Sequence, residues 1–227
     1  MVNLITTKSL KRTKGAVLLK LILVISIWLS FSTKSEALFA RTLKLTKQDL
    51  TDIIRIEAHL NSSKTVRARF LQLSSDGSYG EGMVHIQRPG KMRLEYDPPN
   101  PTLVIADGLN LFYIDQKLNQ ATPMLLYFTP AELILRERIS FSAKDVLVTG
   151  FRRSPGVLRI SIVRTKDPQE AQIMLVFSDP PLGLRKWVIT DSQGIKTTVS
   201  LLGPEFGVKL DSKLFEYEMP SSDDSLN

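Results

Sequence analysis

The sequence predicts a mainly β, single-domain α+β fold: one strongly curved antiparallel sheet with two helices covering its concave side. Three observations lead there. Nine or ten strand-length segments follow one another from residue 66 to residue 202, many alternating apolar and polar side chains. Their connections are of hairpin length and are marked by Asp-Gly, Pro-Gly and Pro-Pro pairs. Only two segments have helical character, and neither an internal repeat nor an interdomain linker interrupts the series. A sheet with one covered face has this layout.

The domain is preceded by a segment with the order of a secretory leader. Lys8, Lys11, Arg12, Lys14 and Lys20 form a basic region, an apolar run at 21–31 follows, and Ser35-Glu36-Ala37 supplies small residues for cleavage after Ala37, with Ala40 as the second choice. A spanning helix needs roughly 20 mainly apolar residues, about twice this run. The division expected is therefore a cleaved signal peptide at 1–37 and a single domain at 38–227. Removing the leader also changes the electrostatics: the whole chain carries +7, but 1–37 hold six Lys/Arg and one Glu, which leaves 24 basic and 22 acidic residues. The remaining domain lacks the strongly basic balance of a nucleic-acid binder. With no cysteine, it has neither disulfides nor a site for N-terminal lipidation, and burial alone must stabilise it.

Residues 46–61 read as the first helix, with Thr46 as N-cap, Asp49 at N3, Leu45 placed to pack on Leu50, and Leu50, Ile53, Ile54 and Leu60 at helical spacing. The period then becomes two. Val66, Ala68 and Phe70 alternate with Arg67, Arg69 and Leu71; Asp76-Gly77 turns the chain into a strand at 83–88; Pro89-Gly90 turns it again into 91–96, where Met92, Leu94 and Tyr96 oppose Lys91, Arg93 and Glu95. Gly77, Gly80 and Gly82 read as turn and bulge glycines. The prolines at 98, 99 and 101 end the third strand, and 103–106 and 109–115 flank Asp107-Gly108 as a further hairpin. Thr129-Pro130-Ala131-Glu132 predicts a second helix running to about Arg138, with Thr129 as N-cap and Glu132 closing a capping box. Five more strands are expected at 145–151, 157–163, 173–177, 184–190 and 195–202.

Few residues offer chemistry. His59 and His85 are the two histidines, and neither stands in a spaced set of carboxylates; there is no Gly-x-Ser-x-Gly elbow and no phosphate-cradling loop. Neither an enzyme, nor a metal, nor a cofactor is expected. Asn61-Ser62-Ser63 matches a glycosylation sequon but reads equally as a helix C-terminus. Arg88 is more informative, because it shares strand parity with Val84 and Ile86 and so points to their apolar face. Its charge can snorkel to water or pair with Glu81 or Glu95, and burying it without partners would be costly.

The run Arg88-Pro89-Gly90-Lys91-Met92-Arg93-Leu94-Glu95-Tyr96-Asp97-Pro98-Pro99, followed by Asp107-Gly108, resembles the Arg-Pro strand pair of the LolA family of lipoprotein carriers. The likeness extends through 111–115, 119–122 and Thr129-Pro130, and backward through 70–72 and 80–82, so that it covers about residues 45–135; beyond 140 it rests on strand rhythm, Phe215 and Met219-Pro220. The resemblance implies an open, incomplete β-barrel with a lid of short helices over an apolar cavity for acyl chains. Arg88 would hydrogen-bond lid carbonyls in the closed, empty state; Met92 and Leu94 fall where the family often has aromatic cavity residues, Val84 and Ile86 share their face, and Leu60 and Ile134 fall on the lid. Docking features that some members carry beyond Pro220 are expected to be absent.

That family role would be a periplasmic carrier of acylated lipoproteins in a Gram-negative bacterium, monomeric, loaded by an inner-membrane ABC transporter because the chain has no nucleotide motif, and unloaded by an outer-membrane lipoprotein receptor. The alternatives are a periplasmic lipid-binding sensor or regulator, or a carrier of another amphiphile, on the same half-barrel fold.

Overall fold

The computed structural model describes residues 43–218. The expected leader and cleavage site, Met219-Pro220 and the tail after them lie outside the described residues.

Helix α1 (Lys47–Asn61) begins where its local chemistry dictates. The Thr46 hydroxyl accepts from the Asp49 amide at 3.1 Å and the Asp49 carboxylate accepts from the Thr46 amide at 2.9 Å, which closes a capping box. Its buried stripe differs from the expected one. Asp52, Ile53 and Ile56 are buried, whereas Leu50 is 49% and Ile54 65% exposed. The helix is rotated so that Asp52 faces inward, where Arg55 and Arg153 neutralise it. Leu45 packs against the core, and the expected staple leaves Leu50 largely in solvent.

Eleven strands follow: β1 (Thr65–Ser74), β2 (Tyr79–Gln87), β3 (Lys91–Tyr96), β4 (Thr102–Asp107), β5 (Asn110–Asp115), β6 (Gln120–Leu125), β7 (Val146–Ser154), β8 (Val157–Arg164), β9 (Ala171–Ser178), β10 (Gly183–Asp191) and β11 (Lys196–Phe206). They form one antiparallel sheet in the order β6-β5-β4-β3-β2-β1-β11-β10-β9-β8-β7. β1 and β11, far apart in sequence, meet in the middle. β6 and β7 are its two edges, so the sheet is mainly hairpins and does not close.

β6 was not among the expected strands. It contains Pro123 and is mostly exposed, a composition that suits an edge and hides its strand character in the sequence. Gly80 and Gly82 also differ from expectation: both lie in regular β1–β2 pairing, not at a bulge. A Cβ on Gly82 would fall 1.9 Å from the Glu95 carbonyl oxygen, and one on Gly80 2.7 Å from the Tyr96 ring. The missing side chains let Tyr96 lie across β2, edge-on to Phe70 and hydrogen-bonded to Gln72 at 2.7 Å. The bulges are elsewhere, at Arg67/Arg69, Val148/Gly150 and Leu184/Lys186.

The inner face carries the main core. Phe70, Val84, Ile160, Leu175 and Phe177 are almost fully buried there, with Met92 and Leu94, beneath Ile53 and Ile56 of α1 and Leu133 and Leu135 of a second covering segment. The outer face of β4 and β5 has a smaller cluster, Leu103, Ile105, Phe112 and Ile114, against which Tyr217 packs.

The second covering segment corrects the predicted helix. It consists of a 3-10 turn (Leu126–Phe128) and a four-residue helix α2 (Glu132–Leu135), and does not continue to Arg138. The expected capping box is absent, because the Thr129 hydroxyl donates to the Leu126 carbonyl at 2.8 Å and the Glu132 carboxylate is taken by Arg136. Arg136 is itself extended and ends the helix, its guanidinium bridging Glu132 and Asp145.

Candidate functional site

The two covering segments and the sheet enclose an apolar cavity of about 50 Å³. His59 and Leu60 line it from α1, Ile134 from α2 and Ile139 from the chain after it; Val66, Ile86, Leu175, Leu184, Trp187 and Phe206 line it from the strands, and Arg88 and Ser63 complete the lining. Of the residues expected at a cavity or lid, Leu60, Ile86, Arg88 and Ile134 line this space. Val84, Met92 and Leu94 do not: each is under 7% exposed and packed into the adjoining core.

Arg88 is 6% exposed and forms no ion pair among the described residues. Of the carboxylates it could have used, Glu95 pairs with Arg93 and Glu81 lies near Arg69. Its guanidinium instead donates to the carbonyls of Leu60, Ser63 (2.7 Å) and Arg136 (3.3 Å) and to the Asn61 side-chain oxygen (3.3 Å). Five fixed N–H donors suit such a cluster of acceptors. Leu60 and Asn61 end α1, Ser63 follows it, and Arg136 caps the end of α2, so one side chain just after β2 holds both covering segments. Burial pulls the Arg88 pKa below its ordinary value.

Neighbouring contacts reinforce the closure. The Asn61 amide donates to the Ile139 carbonyl at 2.8 Å and accepts from the Ile139 amide at 3.0 Å, and the Gly90 amide donates to the Leu135 carbonyl at 2.7 Å. The sequon residue Asn61 is thus a bridge between the segments.

Each segment also has a tether that Arg88 does not touch. On α1, Asp52 accepts from Arg55 (2.8 Å) and from Arg153 of β7, and Arg55 reaches across to Asp179 (2.9 Å). Burial raises the Asp52 pKa, but the hydrogen bonds from Arg153 and Arg55 outweigh it and leave the carboxyl below its ordinary value. On the second segment, Arg164 of β8, 8% exposed, donates to the carbonyls of Tyr127 and Thr129 (2.8 Å) and lies over the Tyr127 ring.

Sequence reasoning missed Arg164, Asn61 and His59 as site residues. Arg164 could have been found by the signal that marked Arg88, a charge with the strand parity of buried neighbours: Leu158, Ile160 and Ile162 precede it on the inner face. His59 lacked any such signal. Its ring meets Phe177 and Phe206 edge-on at 6.4 and 5.8 Å, and its buried Nε2 has no protein hydrogen-bond partner. Burial lowers its pKa.

Residues 61–218 match the family described as outer membrane lipoprotein carrier protein LolA. A protein of Pseudomonas aeruginosa (strain UCBPP-PA14) named outer-membrane lipoprotein carrier protein is 28% identical over 182 residues, which cover 76% of this chain and 86% of that one. One of the same name from Azotobacter vinelandii is 28% identical over 190 residues, covering 78% and 88%. Among solved structures, a LolA superfamily protein from Nitrosomonas europaea superimposes with a TM-score of 0.40 at 10% identity, covering 77% of this chain and 99% of that one. Since the family match runs from the last residue of α1 through all eleven strands, the chain belongs to the LolA family.

Proposed function

We propose that the protein is a periplasmic carrier of lipoproteins, which takes acyl chains into the cavity beneath its two covering segments, shields them from water and hands them on. Its loading by an inner-membrane ABC transporter, its unloading at an outer-membrane lipoprotein receptor and its export by a cleaved leader are parts of the same reading. The named relatives support the cargo, and the observation that carries the mechanism is the Arg88 clamp on both segments.

The volume explains why that clamp matters. A cavity of about 150 Å³ accommodates a single benzene, so the 50 Å³ here is too small for an acyl chain. The segments must part before one can enter, and the contacts to break are those of Arg88 with Leu60, Ser63 and Arg136. Arg153 and Arg164 keep each segment attached at its other end.

The clamp also limits affinity. An acyl chain of about 14 methylenes gains on the order of 11 kcal/mol if fully buried, which would make release slow. Closure that competes with the ligand subtracts its own free energy from binding, so a protein that re-forms the Arg88 contacts lets cargo go more readily.

Arg88→Leu should therefore accept lipoprotein and retain it, with transfer to acceptor membranes slowed by about tenfold. The measurement is the rate of lipoprotein handover from the purified complex; a rate equal to the wild type removes Arg88 from the mechanism.

A further inference from the structure

We infer that His59 is the hydrogen-bonding anchor for the acyl carbonyl of a bound chain, so that the cavity recognises an ester- or amide-linked acyl group and not hydrocarbon alone. The inference rests on the carrier reading and specifies which part of the ligand the protein contacts through a polar group.

Apart from the indole N–H of Trp187, the polar groups lining the cavity are His59, Ser63 and Arg88, and the rest of the wall is apolar. Two of the three are already engaged. The Ser63 hydroxyl donates to the Thr65 carbonyl at 2.9 Å and accepts from the Gly207 amide at 2.8 Å. Arg88 gives its two terminal nitrogens to four acceptors. His59 Nε2 is buried with no protein partner, a situation that buried polar atoms rarely keep without a reason.

An acyl chain presents the complementary need. Its ester or amide carbonyl loses water on entering an apolar space, and an unmatched carbonyl there is costly. The His59 imidazole, kept neutral by burial at neutral pH, carries one N–H; with that proton on Nε2 it donates to the carbonyl. Phe177 and Phe206 hold the ring edge-on from the sheet side, so the donor is oriented before the ligand arrives. His59 also precedes Leu60, whose carbonyl Arg88 holds. Release of that carbonyl and capture of the ligand's would occur on the same helical turn, leaving the hydrocarbon to run along Ile86, Leu175 and Trp187.

The test uses two lipids that differ in the carbonyl, monopalmitoylglycerol (ester) and hexadecylglycerol (ether), each displacing an apolar fluorophore from the full-length mature protein. A synthetic triacylated lipopeptide serves as a third ligand. Wild type should prefer ester to ether by about fivefold, the scale of one neutral hydrogen bond. His59→Phe should abolish that preference while ether affinity stays within about twofold, and His59→Gln, which restores a donor, should recover part of it. A preference that persists in His59→Phe, or is absent from the wild type, overturns the proposal; the wild-type comparison decides even if a variant does not fold. Lipopeptide binding without an ester preference refutes the His59 anchor and keeps the carrier reading. An ester preference lost in His59→Phe, with no lipopeptide bound, keeps the anchor, assigns the ligand to free acylglycerols and refutes the carrier reading. Displacement by none of the three refutes both.

Discussion

The two segments that cover the cavity are built in opposite ways. α1 has fifteen residues, a complete capping box and two buried isoleucines, so that local hydrogen bonds and its own apolar stripe define it. The second segment has a three-residue turn and a four-residue helix, too short to be stable by itself. It keeps its shape because Arg164 holds the carbonyls of Tyr127 and Thr129, Gly90 holds that of Leu135, and Arg136 ties Glu132 to Asp145. A cover made of one self-defined and one externally held segment can move in parts. Arg88 hydrogen-bonds to both, and Asn61 joins one to the chain that follows the other.

This contrast can be broken or sharpened by substitution. The largest effect is expected from Ile56→Ala, at a fully buried position of α1; it should lower global stability by about 3 kcal/mol in urea unfolding, and a loss below about 1 kcal/mol would deny α1 its structural role. Arg164→Leu should cost about 2 kcal/mol through two carbonyls left without their charged donor, with amide-exchange protection falling at residues 126–135 well before it falls in α1. Equal loss in both segments would mean that they open as one unit. Thr46→Ala should remove about 1 kcal/mol by deleting the N-cap acceptor, and circular dichroism combined with urea unfolding should show fraying without loss of the sheet.

The smallest effect at neutral pH is that of the carboxylates on α1, which emerges only in acid. Backbone hydrogen bonding at Thr46 lowers the Asp49 pKa against the opposing effect of burial, and Asp52 is lowered by its arginines, both from an ordinary 3.8. A depressed folded pKa contributes stability that is complete above the unfolded value and is lost as pH falls through the folded one. The urea midpoint should therefore hold steady down to about pH 4 and drop below it. A profile flat to pH 2 would show that the Asp49–Asp52–Arg153 network adds nothing.

Much of the fold could be read from the residues because the relevant forces are local. Alternation and turn residues together located ten of the eleven strands, since inward and outward faces differ in polarity from Ala68 and Phe70 to Val199 and Leu201 and turn pairs separate the strands. Thr46 and Asp49 marked the start of α1 because a capping box closes over three residues. The same pattern at Thr129 and Glu132 misled, since the Leu126 carbonyl took the Thr129 hydroxyl and Arg136 took the Glu132 carboxylate. The site was legible only in outline. Strand parity turns Arg88 inward, but its acceptors come from residues 25 to 48 positions away, and Leu175, Leu184, Trp187 and Phe206 reach the cavity from strands whose position depends on β1 pairing with β11.

By itself, then, the sequence determined the sheet, the first helix and which face of each strand is apolar, because side-chain alternation, turn residues and caps act within a few positions. Tertiary structure decided the length of the second helix, the rotation of α1 that buries Asp52, the pairing of Arg88 and Arg164 with backbone carbonyls, and the isolation of His59. Buried polar groups settle on whichever partners the fold brings near, and strand order, not spacing along the chain, brings them.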